Sequence, residues 1–473
     1  MWNKTSILSL EESIALSTKK FGHYYSKHIN PGLFSIYKLL GFSDMDVASA
    51  SGTEIYLKDG RTILDFSSAI GILGLGHNHP RIIAAERLCH SRQLIDAIKV
   101  APHRLQAALA YNLAELLPDP LQISFFALSG AEAVEGAMKL CEKAQRSEKT
   151  KFITTEGSYH GKTHGALSVT KSGSFDDGFL MGIPEQNVIT IKYGKLDALE
   201  EAIRAGQTAG SRNSIIAIIL EPIQGQSITV PPKGYLEQVV DICRKNNILV
   251  IFDEVKAGIG RTGKFCSFQH EDVVPDVVTL SKALGGGKRA ISAFVTTEKL
   301  FKKAYGKRKD SALHTTTLGG LGESCAVAIE TLNILEDHNL IDAADKKGKY
   351  LINRLEALKQ KHPRVIREIR GRGLLLGIRF NYDVQSIRKF LSNAIPGVIK
   401  TVDSILIASI VSELYGKYHI ITHFSNSDLD VLQVMPPLIV SYPQIDTFVE
   451  AIDGALETGF PRLVGNFVAS NII

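Results

Sequence analysis

Four short apolar runs constrain the middle of this chain: 123–128 (ISFFAL), Ile215–Leu220, 249–252 (LVIF) and Val277–Leu280. Each is too short for a helix and too apolar for a strand with one wet face, so each reads as a strand buried on both sides. Helix-period segments such as 131–145 and 235–245 lie between them. Strand and helix in alternation predict a parallel sheet covered by helices on both faces. In such sheets, ligands gather at the C-terminal ends of the strands. Two runs end there in reactive residues: 249–252 in Asp253-Glu254, and Val277–Leu280 in Ser281-Lys282.

The 473 residues suffice for two or three domains with a sizeable core. Hydrophobic residues at 44% and charged residues at 22% exclude a disordered chain. A net charge of +5, spread along the chain, is too small and too dispersed to point to a nucleic-acid-binding protein, and none is expected as a partner. The five cysteines are odd in number and far apart, with no CxxC pair, as in a reduced protein without a zinc ribbon. No metal site is expected: His77-Asn-His79 has no partner at ligand spacing and reads as a turn that starts a helix. No long apolar run follows Met1, and the stretch 404–412 is about half of a membrane span. A cytoplasmic protein without a membrane span is expected.

The first 50 residues mix aromatic and charged side chains ahead of a hairpin at 53–66 turned at Asp59-Gly60. After about residue 325, helical patterns at 324–336 and 341–361 precede a strand-like pair at 366–380, then a helix and a strand. This reads as a smaller α+β domain.

Gly258-Ile-Gly260-Arg-Thr-Gly263 matches GxGxxG after a strand, yet no helix start follows it, so it reads as a glycine-rich turn. Lys282 can form a Schiff base, and Asp253 can hold a protonated ring nitrogen; alone, each is equally a surface lysine or a helix-capping aspartate. Ser129-Gly130-Ala131-Glu132 follows a strand and offers either a phosphate site at a helix N-terminus or a plain N-cap. In Tyr159-His160-Gly161-Lys162 the tyrosine either stacks on a flat ring or packs on the core. Phosphate cup, stacking aromatic, ring-nitrogen carboxylate and Schiff-base lysine together describe pyridoxal phosphate (PLP).

With those residues in place, the chain resembles the class III (ornithine/4-aminobutyrate-type) aminotransferases of PLP fold type I over roughly residues 50–460. The matching stretches are 125–135 (FFALSGAEAVE), 159–163 (YHGKT), 221–225 (EPIQG), 250–263 (VIFDEVKAGIGRTG), 275–287 (PDVVTLSKALGGG), 314–320 (HTTTLGG), 371–377 (GRGLLLG) and Pro436-Pro437-Leu438. The resemblance implies an α/β fold. Residues 76–325 would form a large PLP domain on a parallel or mixed sheet, and 326–473 a smaller α+β domain. Residues 1–75 would add an N-terminal segment and part of the small domain. It implies a transaminase that works as a homodimer on a small-molecule amine donor and carbonyl acceptor. Lys282 would be the Schiff-base lysine and Asp253 the partner of the ring nitrogen. Val255 and Tyr159 would face the two sides of the ring, with His160 also among the cofactor-binding residues. Ser129, Gly130 and Ala131 would hold the phosphate, which Thr316 and Thr317 would reach from the partner subunit.

Three departures from the family pattern bear on substrate. Lys256 stands where glutamine usually lies beside the ring hydroxyl. Gln433, in Gln433-Val-Met-Pro436-Pro437-Leu438, replaces the arginine that takes a substrate α-carboxylate, and Gln226 replaces its glutamate partner. Neutral amides do not repay the desolvation of a carboxylate. A substrate without an α-carboxylate is therefore expected: an aliphatic amine, a diamine or a lipid-like carbonyl compound. Ile70, Ile72 and Leu73 near the pocket mouth, and an apolar stretch at 394–411 lengthening the small domain, suit such a chain. The competing readings are an ω-amino-acid or ornithine-type transaminase using 2-oxoglutarate or pyruvate, with Lys162, Lys256 or Arg372 as the cation, and an aminomutase on the same scaffold.

Overall fold

A computed structural model describes residues 7–98, 100–145, 149–173, 175–206, 213–381, 402–425 and 430–471. The chain opens with helices Leu10–Ile14, Thr18–His28 and Pro31–Leu39. The side chains of Ser9, Ser17 and Asn30 accept hydrogen bonds from their first turns. An antiparallel meander follows: β1 (Val47–Ser51), β2 (Glu54–Leu57) and β3 (Thr62–Asp65). The hairpin predicted at Asp59-Gly60 is the β2–β3 turn.

Among the described residues, seven strands form the central sheet. They are β4 (Leu121–Ala127), β5 (Lys151–Thr155), β6 (Val188–Ile191), β7 (Ile215–Leu220), β8 (Leu249–Asp253), β9 (Val277–Leu280) and β10 (Ser292–Thr297). Their order is β4-β10-β9-β8-β7-β5-β6. β5 to β9 pair in parallel, whereas β10 runs antiparallel to both β9 and β4. The four apolar runs are thus strands, but the sheet is mixed rather than wholly parallel. The reversed strand is the Ser/Thr-containing segment Ser292–Thr297, which lacks a continuous apolar signature.

Side chains alternate across this sheet. Ile218, Leu220, Val250 and Phe252 pack on one face with Val239 and Cys243 of the helix Tyr235–Lys245. Ala217, Ile219, Ile251 and Val277 pack on the other with Val134, Ala137 and Cys141 of the helix Gly130–Gln145. Burial on both faces accounts for the unbroken apolar runs.

Helices Gly322–Asp337 and Leu340–Lys361 lead to β11 (Ile366–Arg372) and β12 (Leu375–Phe380), the predicted strand pair, which is antiparallel. After the helix Val402–Tyr418 come β13 (Ile420–Ile421), β14 (His423–Phe424) and β15 (Val431–Val434). A sheet of order β11-β12-β15-β14 results, and β13 joins β3 in parallel as the fourth strand of the meander. The chain closes with helices Tyr442–Glu457 and Phe460–Asn471. More elements follow residue 380 than the single helix and strand expected, because two-residue strands carry no readable period.

Of the apolar stretch 394–411, residues 394–401 lie outside the described residues. The remainder opens the helix Val402–Tyr418, whose Ile407, Ile410, Val411 and Leu414 are core residues alongside Leu463. Ile407, Ile410 and Val411 thus build the interior and are not among the residues that line the cavity around Asp253 and Lys282. Gly258–Gly263 is a turn, and His77 Nε2 lies 2.9 Å from Asp65 Oδ2, just ahead of the helix Pro80–Ser91. The five cysteines are free and buried, and among the described residues no helix is long and apolar enough to cross a membrane.

Candidate active site

β8 and β9 are neighbours in register, with Asp253 opposite Thr279, so both strands end at one edge of the sheet. Asp253 is 4% exposed. Its Oδ1 accepts from Val255 N at 3.0 Å and Thr279 Oγ1 at 3.2 Å, and its Oδ2 lies 2.7 Å from His160 Nδ1. Two residues beyond β9, Lys282 has a φ of 46°, in the left-handed region unusual for a non-glycine residue. Desolvation holds its amine below the ordinary lysine value, against the opposing pull of Asp253 and Glu221.

The Tyr159 loop and the start of the helix Gly130–Gln145 meet beside this pair. A Cβ on Gly161, at φ +129°, would come 2.6 Å from Ala131 Cβ, and one on Gly130 would come 2.8 Å from Val255 Cγ1. Both positions need glycine for that close approach. Ser129 Oγ accepts from Glu132 N at 3.2 Å and donates to Glu132 Oε2 at 3.0 Å, so it caps the helix.

A cavity of about 410 Å³ joins these pieces. Gly130, Ala131, Tyr159, His160, Asp253, Val255 and Lys282 all line it. Ala69, Ile70 and Ile72 form an exposed rim, while Leu73 packs against Gly287 instead. Ser68, Ala69 and Ile70 have φ of 48°, 49° and 63°, an uncommon left-handed turn. It is held by Asp65 Oδ1, which accepts from Ser67 N and Ser68 N, and by Ser68 Oγ, which donates to Met435 O. Lys162 Nζ sits 3.9 Å from the Phe175 ring centroid, a cation–π contact on the wall.

Lys256 and Gln226 also line the cavity. Lys256 Nζ donates to Gly225 O at 2.5 Å and to Gln433 Oε1 at 2.7 Å. Burial and the neighbouring Lys282 push its amine down to about 7. Gln433 itself is fully buried on β15, where Nε2 donates to Gln226 O at 2.5 Å and Gly225 O at 3.3 Å. Its amide is turned wholly onto the protein, not onto the cavity as a substrate-facing group would be. Arg372 ends β11 and does not line the cavity. Thr316 and Thr317 lie beside a separate cavity with Gln106 and Phe126.

Two wall residues had no role in the sequence reading. Glu221, next after β7, accepts from Tyr159 N at 2.9 Å and Gly225 N at 2.6 Å, and burial pushes its carboxyl up to about 7. Its position at a strand end, like that of Asp253, was the available signal. His423, pushed down to about 4 by burial and then by Lys256, sits on the two-residue β14 and had none.

Residues 41–456 match the family model of the class-III aminotransferases. The chain belongs to that family. Among solved structures it is similar to an ornithine aminotransferase from Toxoplasma gondii ME49, with 25% identity and a TM-score of 0.79, covering 96% of this chain and 99% of that one. An (S)-enantioselective omega-transaminase from Thermomicrobium roseum gives the same identity, TM-score and coverage. An acetylornithine aminotransferase from Elizabethkingia anophelis is 25% identical, with a TM-score of 0.72, covering 93% of this chain and 99% of that one.

The protein is therefore a transaminase of fold type I, a transferase of the EC 2.6.1 type, and its cofactor is PLP. The cavity suits that group. His160 Nε2 is buried without a partner among the described residues, and the two close-packed glycines keep the wall beside the helix start thin. The donor set combines an amine, a buried carboxylate and an aromatic ring, as a phosphorylated pyridine requires.

Proposed function

We propose that this transaminase moves an amino group between an amine donor and an aldehyde or ketone whose own structure lacks an α-carboxylate. An aliphatic amine, a diamine or a lipid-like carbonyl compound fits that description. The observation that carries the reading is Gln433: the family's carboxylate-binding position holds a neutral, fully buried amide bonded to Lys256 Nζ, Gly225 O and Gln226 O. The apolar rim of Ala69, Ile70 and Ile72 supports it.

In this reading PLP, when bound, supplies an aldehyde that condenses with amines and a ring that spreads the electron pair left at the substrate carbon. Lys282 would hold it covalently, then take the substrate Cα proton and return it one position away. A lowered amine basicity favours the free base that this proton transfer needs. Asp253 would hold the protonated ring nitrogen, with His160 fixing its carboxylate. Tyr159 and Val255 would flank the ring, Lys256 would approach its hydroxyl side, and Ser129, Gly130 and Ala131 would take the phosphate. Thr316 and Thr317, which line a separate cavity of their own chain, would complete the phosphate site of a second subunit in a cytoplasmic homodimer. Residues 1–75 with 326–473 would form the small domain around the 76–325 cofactor domain, a division that the β3–β13 pairing supports.

The test is kcat/KM for a medium-chain amine or aldehyde against ornithine, 4-aminobutyrate and glutamate in one buffer. Preference for the uncarboxylated compounds is expected, and preference for the amino acids in both half-reactions overturns the reading. Sedimentation during turnover should show a dimer.

A further inference from the structure

A transaminase must seat two different molecules in one cavity, in alternate half-reactions. Here the second is the question: a site built for an uncarboxylated carbonyl compound still needs an amino donor, and the commonest chemical class of donor carries a carboxylate. The buried side of the cavity offers that carboxylate one cation besides Lys282 among the described residues. Lys162 stands exposed over Phe175, Arg372 is outside, and buried Arg261 donates to Leu374 O and Pro436 O.

We propose that Lys256 is the carboxylate anchor for the amino-acid co-substrate, engaging it in one half-reaction and resting on Gly225 O and Gln433 Oε1 in the other. The proposal rests on the reading above and names the donor class for the same cavity. Three observations carry it. An ammonium has three donors, and two of Lys256's are spent on those protein oxygens. Among the described residues the third has no bonded partner, and the side chain lines the cavity. Gln433 cannot turn its amide away, because Nε2 is committed to two carbonyls, so Oε1 stays aimed at the lysine and defines its resting position.

The arrangement makes the anchor sensitive to pH. Lys256 is held down by burial, Lys282 and Arg261, and held up by Glu221; His423 also faces it and is neutral near pH 7. Its charge is present below about 7 and is lost above it, whereas Glu221 gains its negative charge over the same range. Both changes weaken the seat of a carboxylate as pH rises.

The experiment uses the holoenzyme, with propionate as an unreactive probe. Calorimetric affinity for propionate should fall by about tenfold or more between roughly pH 6 and 9 in the natural protein, the scale of one charge-assisted hydrogen bond. In Lys256→Met the affinity at pH 6 should drop by a similar factor, and in Lys256→Gln, which carries the family's usual residue, by a comparable one. The ratio of kcat/KM for alanine to that for a neutral primary amine should fall with them. Propionate affinity at pH 6 that is the same in Lys256→Met and Lys256→Gln as in the natural protein overturns the proposal. If kcat/KM for alanine and for the amine fall together, Lys256 serves the cofactor alone and the proposal fails. If amino acids are preferred in both half-reactions while the Lys256 dependence persists, the anchor stands and the uncarboxylated substrate is what falls.

Discussion

Asp253 Oδ2 and His160 Nδ1 lie 2.7 Å apart, joining the end of β8 to the loop after β5 across 93 residues of sequence. Both side chains are buried, and the carboxylate's other oxygen is taken by Val255 N and Thr279 Oγ1. A carboxylate fixed on three sides keeps one orientation, which is what a group that must hold a ring nitrogen needs.

Asp253→Asn keeps the shape but loses the charge. The expected outcome is a fall in kcat of about 10²-fold or more, near 3 kcal/mol, with weakened cofactor retention. His160→Phe should cost less, about tenfold, since it removes the orienting bond and leaves the carboxylate. Steady-state rates with cofactor content measured alongside check both, and near-natural activity in Asp253→Asn would remove that residue from its role.

Lys282→Ala should abolish transamination and leave any retained PLP unlinked. Borohydride treatment followed by peptide mass mapping should label Lys282 in the natural protein and no lysine in the variant. Because desolvation lowers this amine, its free-base form appears at lower pH than for an ordinary lysine at 10.5. The acid limb of kcat against pH, which reports the complex in which substrate has released this amine, should therefore lie below that value. A limb that follows an unperturbed lysine would contradict the assigned proton carrier.

How much of this was legible follows from where each signal lies along the chain. β8 and β9 announce themselves because burial on both faces leaves an unbroken apolar run, and Asp253 and Lys282 stand just where those runs stop. β10 is as buried but carries Ser292, Thr296 and Thr297, so its reversal within the sheet had no local mark. The contact of Tyr159 N with Glu221 spans 62 residues, and that of Lys256 with Gln433 spans 177. Pattern within a window cannot reach that far. Position alone placed Gln433 at the substrate, and only its three hydrogen bonds show that the amide is spent elsewhere.

Gly161→Ala tests the packing of the cofactor wall. The added methyl would meet Ala131 Cβ at 2.6 Å, at a φ that alanine adopts poorly. A loss of about 2–3 kcal/mol in stability is expected from strain and overpacking together. Displacement of the helix start should also loosen PLP. Chemical denaturation of the apoprotein and equilibrium dialysis of the cofactor measure the two effects, and a fully stable variant would show that the wall can yield.

Restoring the family's arginine is not a single step in this protein. Gln433→Arg replaces an amide whose oxygen accepts from Lys256 Nζ at 2.7 Å with a second cation in the same buried place. Like charges there repel with little solvent to screen them. The single variant should therefore lose stability and gain little carboxylate preference. Lys256→Gln alone removes a buried amine that folding pushes down to about 7 from 10.5. Between those values the unfolded chain binds the proton more tightly, so this substitution should stabilise the apoprotein most below pH 7 and less as pH rises. Combining the two leaves one cation, an arginine, beside a neutral amide. The double variant should then favour glutamate over a neutral amine relative to either parent, with a coupling of about 1–3 kcal/mol between the sites. Thermal unfolding across pH and kcat/KM ratios for the four proteins close the cycle, and additive effects at both readouts would mean that Lys256 and Gln433 do not share the charge of this site.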